Sequence, residues 1–130
     1  MFVKKKVSDK RNFCIFVIRK MSIKIILSSE VQSFIQSQPL DVRAKIHFNI
    51  DKIEFGIYSV SLFKKLKGSE IWELRTQYGG MSYRILAFWD KEQQSLVIAT
   101  HGFVKKTQKT PKKEIAKAIA IMTEYYNTKK

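Results

Sequence analysis

The chain is poor in cysteine, proline, glycine and acidic residues, and each shortage excludes a class of protein. Its single cysteine, Cys14, cannot form an intrachain disulfide, so the fold needs no oxidising compartment and we expect a cytoplasmic protein. One cysteine and two histidines cannot supply a zinc cluster. Two prolines and five glycines among 130 residues exclude a collagen-like or low-complexity chain.

Long hydrophobic runs are also missing. The longest, residues 13–18, has six residues, whereas a membrane-spanning helix needs about 20 and a signal-peptide core at least about 7. Basic residues precede this run, as in a signal peptide, but Arg19 and Lys20 follow it where a small-residue cleavage site is required. We therefore expect neither export nor a membrane partner.

The residues that are present describe one basic globular domain. Hydrophobic residues make up 45% of the chain, which is enough for a packed core. Lysine and arginine outnumber aspartate and glutamate by 25 to 11, and the net charge of +14 suits a surface that meets a polyanion. Residues 1–20 form a basic amino-terminal extension, and Met21 opens the regular pattern of a single domain over residues 21–130.

The spacing of apolar residues predicts an α+β fold with the order βααβββα. A short strand near residues 23–27 precedes a helix that ends at Pro39 and a second helix that begins near Asp41 and ends near Gly56. Alternation after a linker rich in serine and lysine predicts strands over residues 71–78, 82–89 and 96–103. Thr110 as N-cap and Pro111 at the first helical position begin the last helix.

Gly79 and Gly80 predict a two-residue hairpin loop. This loop places Arg75 directly opposite Arg84 on one face of the sheet. Like charges in that position are destabilising, so an anion between them would explain the pair, and Glu73 on the same face would neutralise part of the charge. The alternative interpretation is two solvated arginines on an open sheet face.

More basic residues flank the same sheet. Three lysines precede the first hairpin strand, and five follow the last strand in a stretch, residues 93–113, that has no acidic residue. They are Lys64, Lys65, Lys67, Lys105, Lys106, Lys109, Lys112 and Lys113. A single run of charge is usually a solvated face, but convergence from separate segments predicts an interface for a phosphate backbone.

Other candidate residues have an ordinary structural alternative. His101, near the end of the last strand, is a candidate acid or base, although a lone histidine there is more often structural. Trp72 and Tyr83 are suited to stacking on bases, but their alternating positions favour the core. Cys14 has no histidine or aspartate at a spacing typical of a catalytic thiol.

Several segments resemble the HigB-like, phage-related branch of the RelE/ParE toxin superfamily. The resemblance covers roughly residues 23–126 and is carried by KKLKGS at 64–69, IWELR at 71–75, YRIL at 83–86 and HGFVKKTQKTP at 101–111. The last segment is the most specific, and the family order βααβββα matches the order predicted from periodicity. The resemblance implies an antiparallel sheet packed by helices on one face. Residues 1–20 lie outside it.

The resemblance also implies a function. Such a protein is the toxin of a type II toxin-antitoxin system, a ribosome-dependent mRNA endoribonuclease that inhibits translation without a metal or other cofactor. A cognate antitoxin, a small helix-turn-helix protein similar to HigA, would hold it inactive. The residues that match the family's site are Arg84, Arg75, Glu73 and Lys105, with Lys106 nearby, and His101 is a further catalytic candidate. The basic segments that flank the sheet give the predicted RNA-binding residues Lys64, Lys65, Lys67, Lys106 and Lys109.

Two questions stay open at the level of sequence. The chain lacks the carboxy-terminal tyrosine that several relatives use as an acid, so His101, Glu73 and a lysine are all candidates for the general acid. ParE-type members share the fold but inhibit DNA gyrase by binding, and a non-catalytic RNA-binding module is a further alternative. The arginine pair with Glu73 favours phosphate cleavage.

Overall fold

The computed structural model describes residues 23–129, which form one sheet and three helices. The strands are β1 (Lys24–Leu27), β2 (Phe63–Lys65), β3 (Trp72–Tyr78), β4 (Met81–Trp89) and β5 (Leu96–Lys105), and the helices are α1 (Ser29–Gln36), α2 (Leu40–Glu54) and α3 (Lys112–Thr128). The strand order is β1-β5-β4-β3-β2. β1 is parallel to β5 and all other neighbours are antiparallel, so the sheet is mixed. The predicted α+β class is confirmed.

Helices cover both faces of the sheet, whereas the resemblance implied one face. Successive residues of β4 point to opposite sides: Ile85 and Ala87 pack towards α1 and α2, and Leu86 and Phe88 pack towards α3. All four are buried. Because the central strand β4 is apolar on both sides, α3 packs against the face that α1 and α2 leave uncovered.

The segment predicted as a linker contains the short edge strand β2. Phe63 is buried and its ring centroid lies 4.8 Å from that of Trp72, so this residue anchors the strand in the core. The register pairs Lys64 with Glu73. A three-residue strand is too short to produce a visible alternation, which is why the pattern did not predict it.

The hairpin register is as predicted. Tyr78 pairs with Met81 and Arg75 pairs with Arg84. Gly79 and Gly80 have φ of 58° and 81°, the left-handed values that a two-residue loop of this type requires at both positions. The loop therefore fixes which side chains share a face.

Residues 1–22 lie outside the described part of the chain. The predicted basic extension over residues 1–20, its boundary at Met21 and Cys14 all lie there, so these predictions stay predictions. Within residues 23–129, the helices are too short or too polar to span a bilayer.

Candidate active site

A buried carboxylate organises the half of the sheet face that α3 does not cover. Glu73 on β3 is fully buried, and its Oε1 accepts a hydrogen bond of 3.0 Å from Arg75 Nε and lies 3.4 Å from Arg84 Nε. Its Oε2 accepts a hydrogen bond from the hydroxyl of Thr110. Both oxygens are therefore engaged, and the carboxylate acts as the counter-ion that holds the two arginines on one face.

Of these side chains, Arg84 has the fewest hydrogen bonds to protein groups. The residue is 8% exposed, and its Nε and Nη1 are buried with no hydrogen-bond partner among residues 23–129. The contact with Glu73 is thus an ion pair without hydrogen-bond geometry. Burial lowers the pKa of Arg84, Glu73 raises it and Arg75 lowers it. The guanidinium stays charged, and its two unpaired nitrogens are enclosed by the protein.

Arg84 lines an open groove of about 580 Å³. The other lining residues are Gln77, Ser82, Lys105, Lys106, Thr107 and Gln108. β5 places Lys105 opposite Ser82, two positions along the strand from the residue opposite Arg84. The groove therefore combines cations with small polar side chains, which is a surface suited to a phosphodiester.

The environment of Lys105 favours its neutral form. Burial lowers the pKa of its ammonium group, Glu73 raises it, and the nearby cations Arg84, Arg75 and Lys64 lower it further. A lowered pKa is the direction of shift that favours a lysine as a proton-transfer group.

His101 lies in the packing between the sheet and α3. The residue is 1% exposed, its Nε2 is 2.9 Å from Glu114 Oε1, and its Nδ1 is 3.0 Å from Thr100 Oγ1. Both ring nitrogens are engaged within the protein, and the ring is not among the residues that line the groove. In this arrangement the histidine ties the amino-terminal end of α3 to the sheet.

The predicted RNA-binding lysines separate into two groups. Lys64 lies opposite Glu73 in the strand register and therefore shares its face, and Lys106 lines the groove. Lys65 points to the opposite face, since side chains alternate along β2, and its Nζ donates to the carbonyl of Ser69. Lys67 and Lys109 are exposed in connecting segments outside the strands.

Thr110 is the site residue that the sequence pattern did not reveal. The spacing predicted it as the N-cap of α3, but Pro111 occupies that position and forms no side-chain cap bond. The Thr110 hydroxyl donates to Glu73 instead. That contact depends on the segment after β5 folding back over the sheet, which no local pattern encodes.

The comparisons with known proteins agree with this architecture. Residues 33–123 match the family model described as Phage derived protein Gp49-like (DUF891). The chain belongs to this family. No curated protein is significantly similar to this Gp49-like chain in sequence.

Two solved structures resemble the Gp49-like fold. A mutant of the E. coli toxin RelE in the free state is 14% identical, has a TM-score of 0.54, and is matched over 77% of this chain and 97% of its own. The toxin-antitoxin complex RelBE2 from Mycobacterium tuberculosis is 16% identical, with a TM-score of 0.45 over 65% of this chain and 99% of the other. The first likeness shows that this chain has the fold of RelE. The HigB-like branch stays a prediction.

Proposed function

We propose that this Gp49-like protein is the toxin of a type II toxin-antitoxin pair and a metal-independent endoribonuclease that cleaves mRNA on the ribosome. The observation that carries the proposal is the open basic groove that Arg84 lines together with Lys105 and Lys106, where Arg84 is held in place by its ion pair with the buried Glu73. A phosphodiester supplies the negative charge that such a set of cations binds. The fold shared with the E. coli toxin RelE supports the toxin class.

The arrangement suits cleavage by the neighbouring 2′-hydroxyl of RNA. The 2′ oxygen forms a bond to phosphorus, the bond to the 5′ oxygen breaks, and the products are a 2′,3′-cyclic phosphate and a 5′-hydroxyl. Negative charge accumulates on the non-bridging oxygens in the transition state, where Arg84 is already fixed by its ion pair with Glu73. Donors positioned in advance for such charge are among the strongest catalytic groups.

Lys105 is the proton-transfer residue in this proposal. Its amine lines the groove beside Arg84, and its lowered pKa increases the fraction that can accept the 2′-hydroxyl proton. Water entering the open groove supplies the proton to the departing 5′ oxygen. Glu73 and His101, the other candidates, are each engaged with protein groups through both heteroatoms and serve to position the site.

The proposal includes a cognate antitoxin of helix-turn-helix type and the ribosome as partners, and the cytoplasm as the compartment. These follow from the resemblance of the HGFVKKTQKTP segment at residues 101–111 to HigB-like toxins. An excess of positive charge is also what a protein that approaches ribosomal RNA requires.

The test is controlled expression in bacteria without an antitoxin, followed by mapping of transcript 5′ ends. The wild-type chain should arrest growth and produce new 5′ ends within translated regions. Arg84→Met should abolish both effects, while Lys24→Ala, an exposed change on the distant edge strand β1, should preserve them. Growth arrest with intact transcripts and DNA damage would contradict the proposal and indicate a gyrase inhibitor.

A further inference from the structure

A second groove, of about 490 Å³, lies along the edge of β3 that β2 leaves uncovered. α2 and the segment before β2 form its walls, and its lining includes Lys45, Lys52, Tyr58, Arg75 and Gln77. Three of these five side chains are cationic, and no acidic residue is among the residues that line the groove. The groove is therefore suited to an anionic ligand.

An exposed aromatic ring stands beside this groove. Phe48 on α2 is 55% exposed, and the ammonium groups of Lys45 and Lys52 lie 5.5 Å and 5.6 Å from its ring centroid. The spacing of three and four residues places all three side chains on one helix face. The two ammonium groups lie over the ring in cation–π contact, and a nucleic-acid base that stacks on the ring would replace them there while its phosphates bind them.

The second groove adjoins the groove of Arg84. Gln77 lines both. Arg75 lies at the boundary, because its Nε bonds Glu73 while its Nη1 donates to the Val60 carbonyl at 3.2 Å. A ligand that binds Arg84 through one phosphate and carries further phosphates along a flexible chain would reach both grooves.

We propose that single-stranded RNA passes from the Arg84 groove across Gln77 into the second groove, where a flanking base stacks on Phe48 and flanking phosphates bind Lys45 and Lys52. The inference rests on the proposed function, since it extends the path of the same substrate. Adjacency to the proposed phosphate site favours RNA over an acidic protein segment, because one RNA strand would place phosphates in both grooves.

The experiment measures binding of the full chain to a fluorescein-labelled, single-stranded 12-nucleotide RNA whose 2′ positions are all O-methylated, so that cleavage is impossible. Anisotropy titrations at several salt concentrations compare wild type, Lys45→Ala/Lys52→Ala and Phe48→Ala. The matched control is Lys24→Ala/Lys117→Ala, which removes the same charge from exposed positions on β1 and α3.

Loss of two phosphate contacts should reduce the slope of log K against log salt by about 1.4 in Lys45→Ala/Lys52→Ala and leave the control slope close to wild type. Phe48→Ala should weaken binding of the 12-mer about tenfold, as expected for one lost base stack. Binding of a trinucleotide of the same chemistry, which is too short to fill both grooves, should stay within twofold of wild type in both variants.

Three results would overturn the inference. The first is equal affinity and salt slope for the variants and the control, and the second is no binding of the 12-mer by wild type. The third is normal RNA binding by the variants together with loss of binding to the cognate antitoxin, which would give this surface to a protein partner. Failure of the proposed function is separate: an intact RNA path in a protein that never cleaves unmodified mRNA would leave this inference standing.

Discussion

Replacing Arg84 by methionine should leave the protein as stable as before or make it more stable, while the same replacement at Arg75 should weaken it. The two arginines face each other across the hairpin and contact the same carboxylate, Glu73, so they form a matched pair. The two side chains differ in how many of their N–H groups are hydrogen-bonded. Arg75 donates to Glu73 at 3.0 Å and to Val60 at 3.2 Å, whereas Arg84 has two buried nitrogens without a partner in the described chain.

The magnitudes follow from that difference. Each buried unsatisfied N–H group costs about 1–3 kcal/mol, and removing one of two opposed cations relieves up to about 1 kcal/mol. Against this, Arg84→Met removes an ion-pair contact with Glu73 worth about 1–3 kcal/mol, but Glu73 keeps Arg75 and Thr110. We expect Arg84→Met to gain about 1 kcal/mol of unfolding free energy, and Arg75→Met to lose about 2 kcal/mol because two made hydrogen bonds disappear.

Urea denaturation followed by circular dichroism measures both variants, and equal m-values would show that the unfolded states are comparable. A shift of this size corresponds to a change in Tm of several degrees for a domain of about 100 residues. Ribonuclease activity should fall about 100-fold to 1000-fold in Arg84→Met although the fold is not weakened. If Arg84→Met melts earlier than Arg75→Met and still cleaves, the arginine is part of the scaffold and the reasoning is refuted.

Three further changes test other groups. Glu73→Gln should lower the unfolding free energy by about 3 kcal/mol in urea titrations, because two arginines lose their buried counter-charge. Since the pKa of Lys105 is lowered, the rate of wild-type cleavage should rise with pH through a midpoint below the usual lysine value of about 10.4, and Lys105→Arg should remove that limb of the pH-rate profile. Hydrogen bonds from Lys129, Tyr125 and the backbone N–H of Gln93 hold the pKa of Asp90 well below its usual range. The stability that ionised Asp90 contributes is therefore complete above the unfolded pKa of about 3.9 and is lost as pH falls through the folded pKa. Asp90→Asn should flatten this acid-side loss of stability in thermal melts.

The arginine pair could be predicted from sequence because local rules fix it. Gly79 and Gly80 set the loop length, and a side-chain period of two then places Arg75, Arg84 and Glu73 on one face. The order of the long elements was also readable, since each has a clear apolar period. These features depend on residues close together in the chain.

The two halves of β5 face opposite ways because of a feature that no pattern reveals. A bulge between Leu86 and Ala87 shifts the pairing of β4 with β5, so that Leu86 faces His101 while Ala87 faces Ala99. Ala99 therefore packs towards α1 and α2, whereas His101 lies on the face covered by α3, where Glu114 engages it. Strict alternation along β5 would have put Ala99 and His101 on the same face.

The burial of Arg84 and the role of Thr110 are set by long-range folding. Thr110 donates a hydrogen bond to a carboxylate 37 residues earlier in the chain. Arg84 lies on the central strand β4 and its side chain is more buried than that of Arg75 on β3. Such choices depend on the packing of whole elements and lie beyond local propensity.

The central claim, that Arg84 stabilises the charge which develops on a cleaved phosphate, is tested most directly with purified full-length protein, mRNA bound to programmed ribosomes, and analysis of the product ends. The account predicts fragments with 2′,3′-cyclic phosphate and 5′-hydroxyl ends from wild type, and cleavage at least about 100-fold slower from Arg84→Met. Undiminished cleavage by Arg84→Met, or ribosome-bound mRNA left intact by wild type, would contradict it.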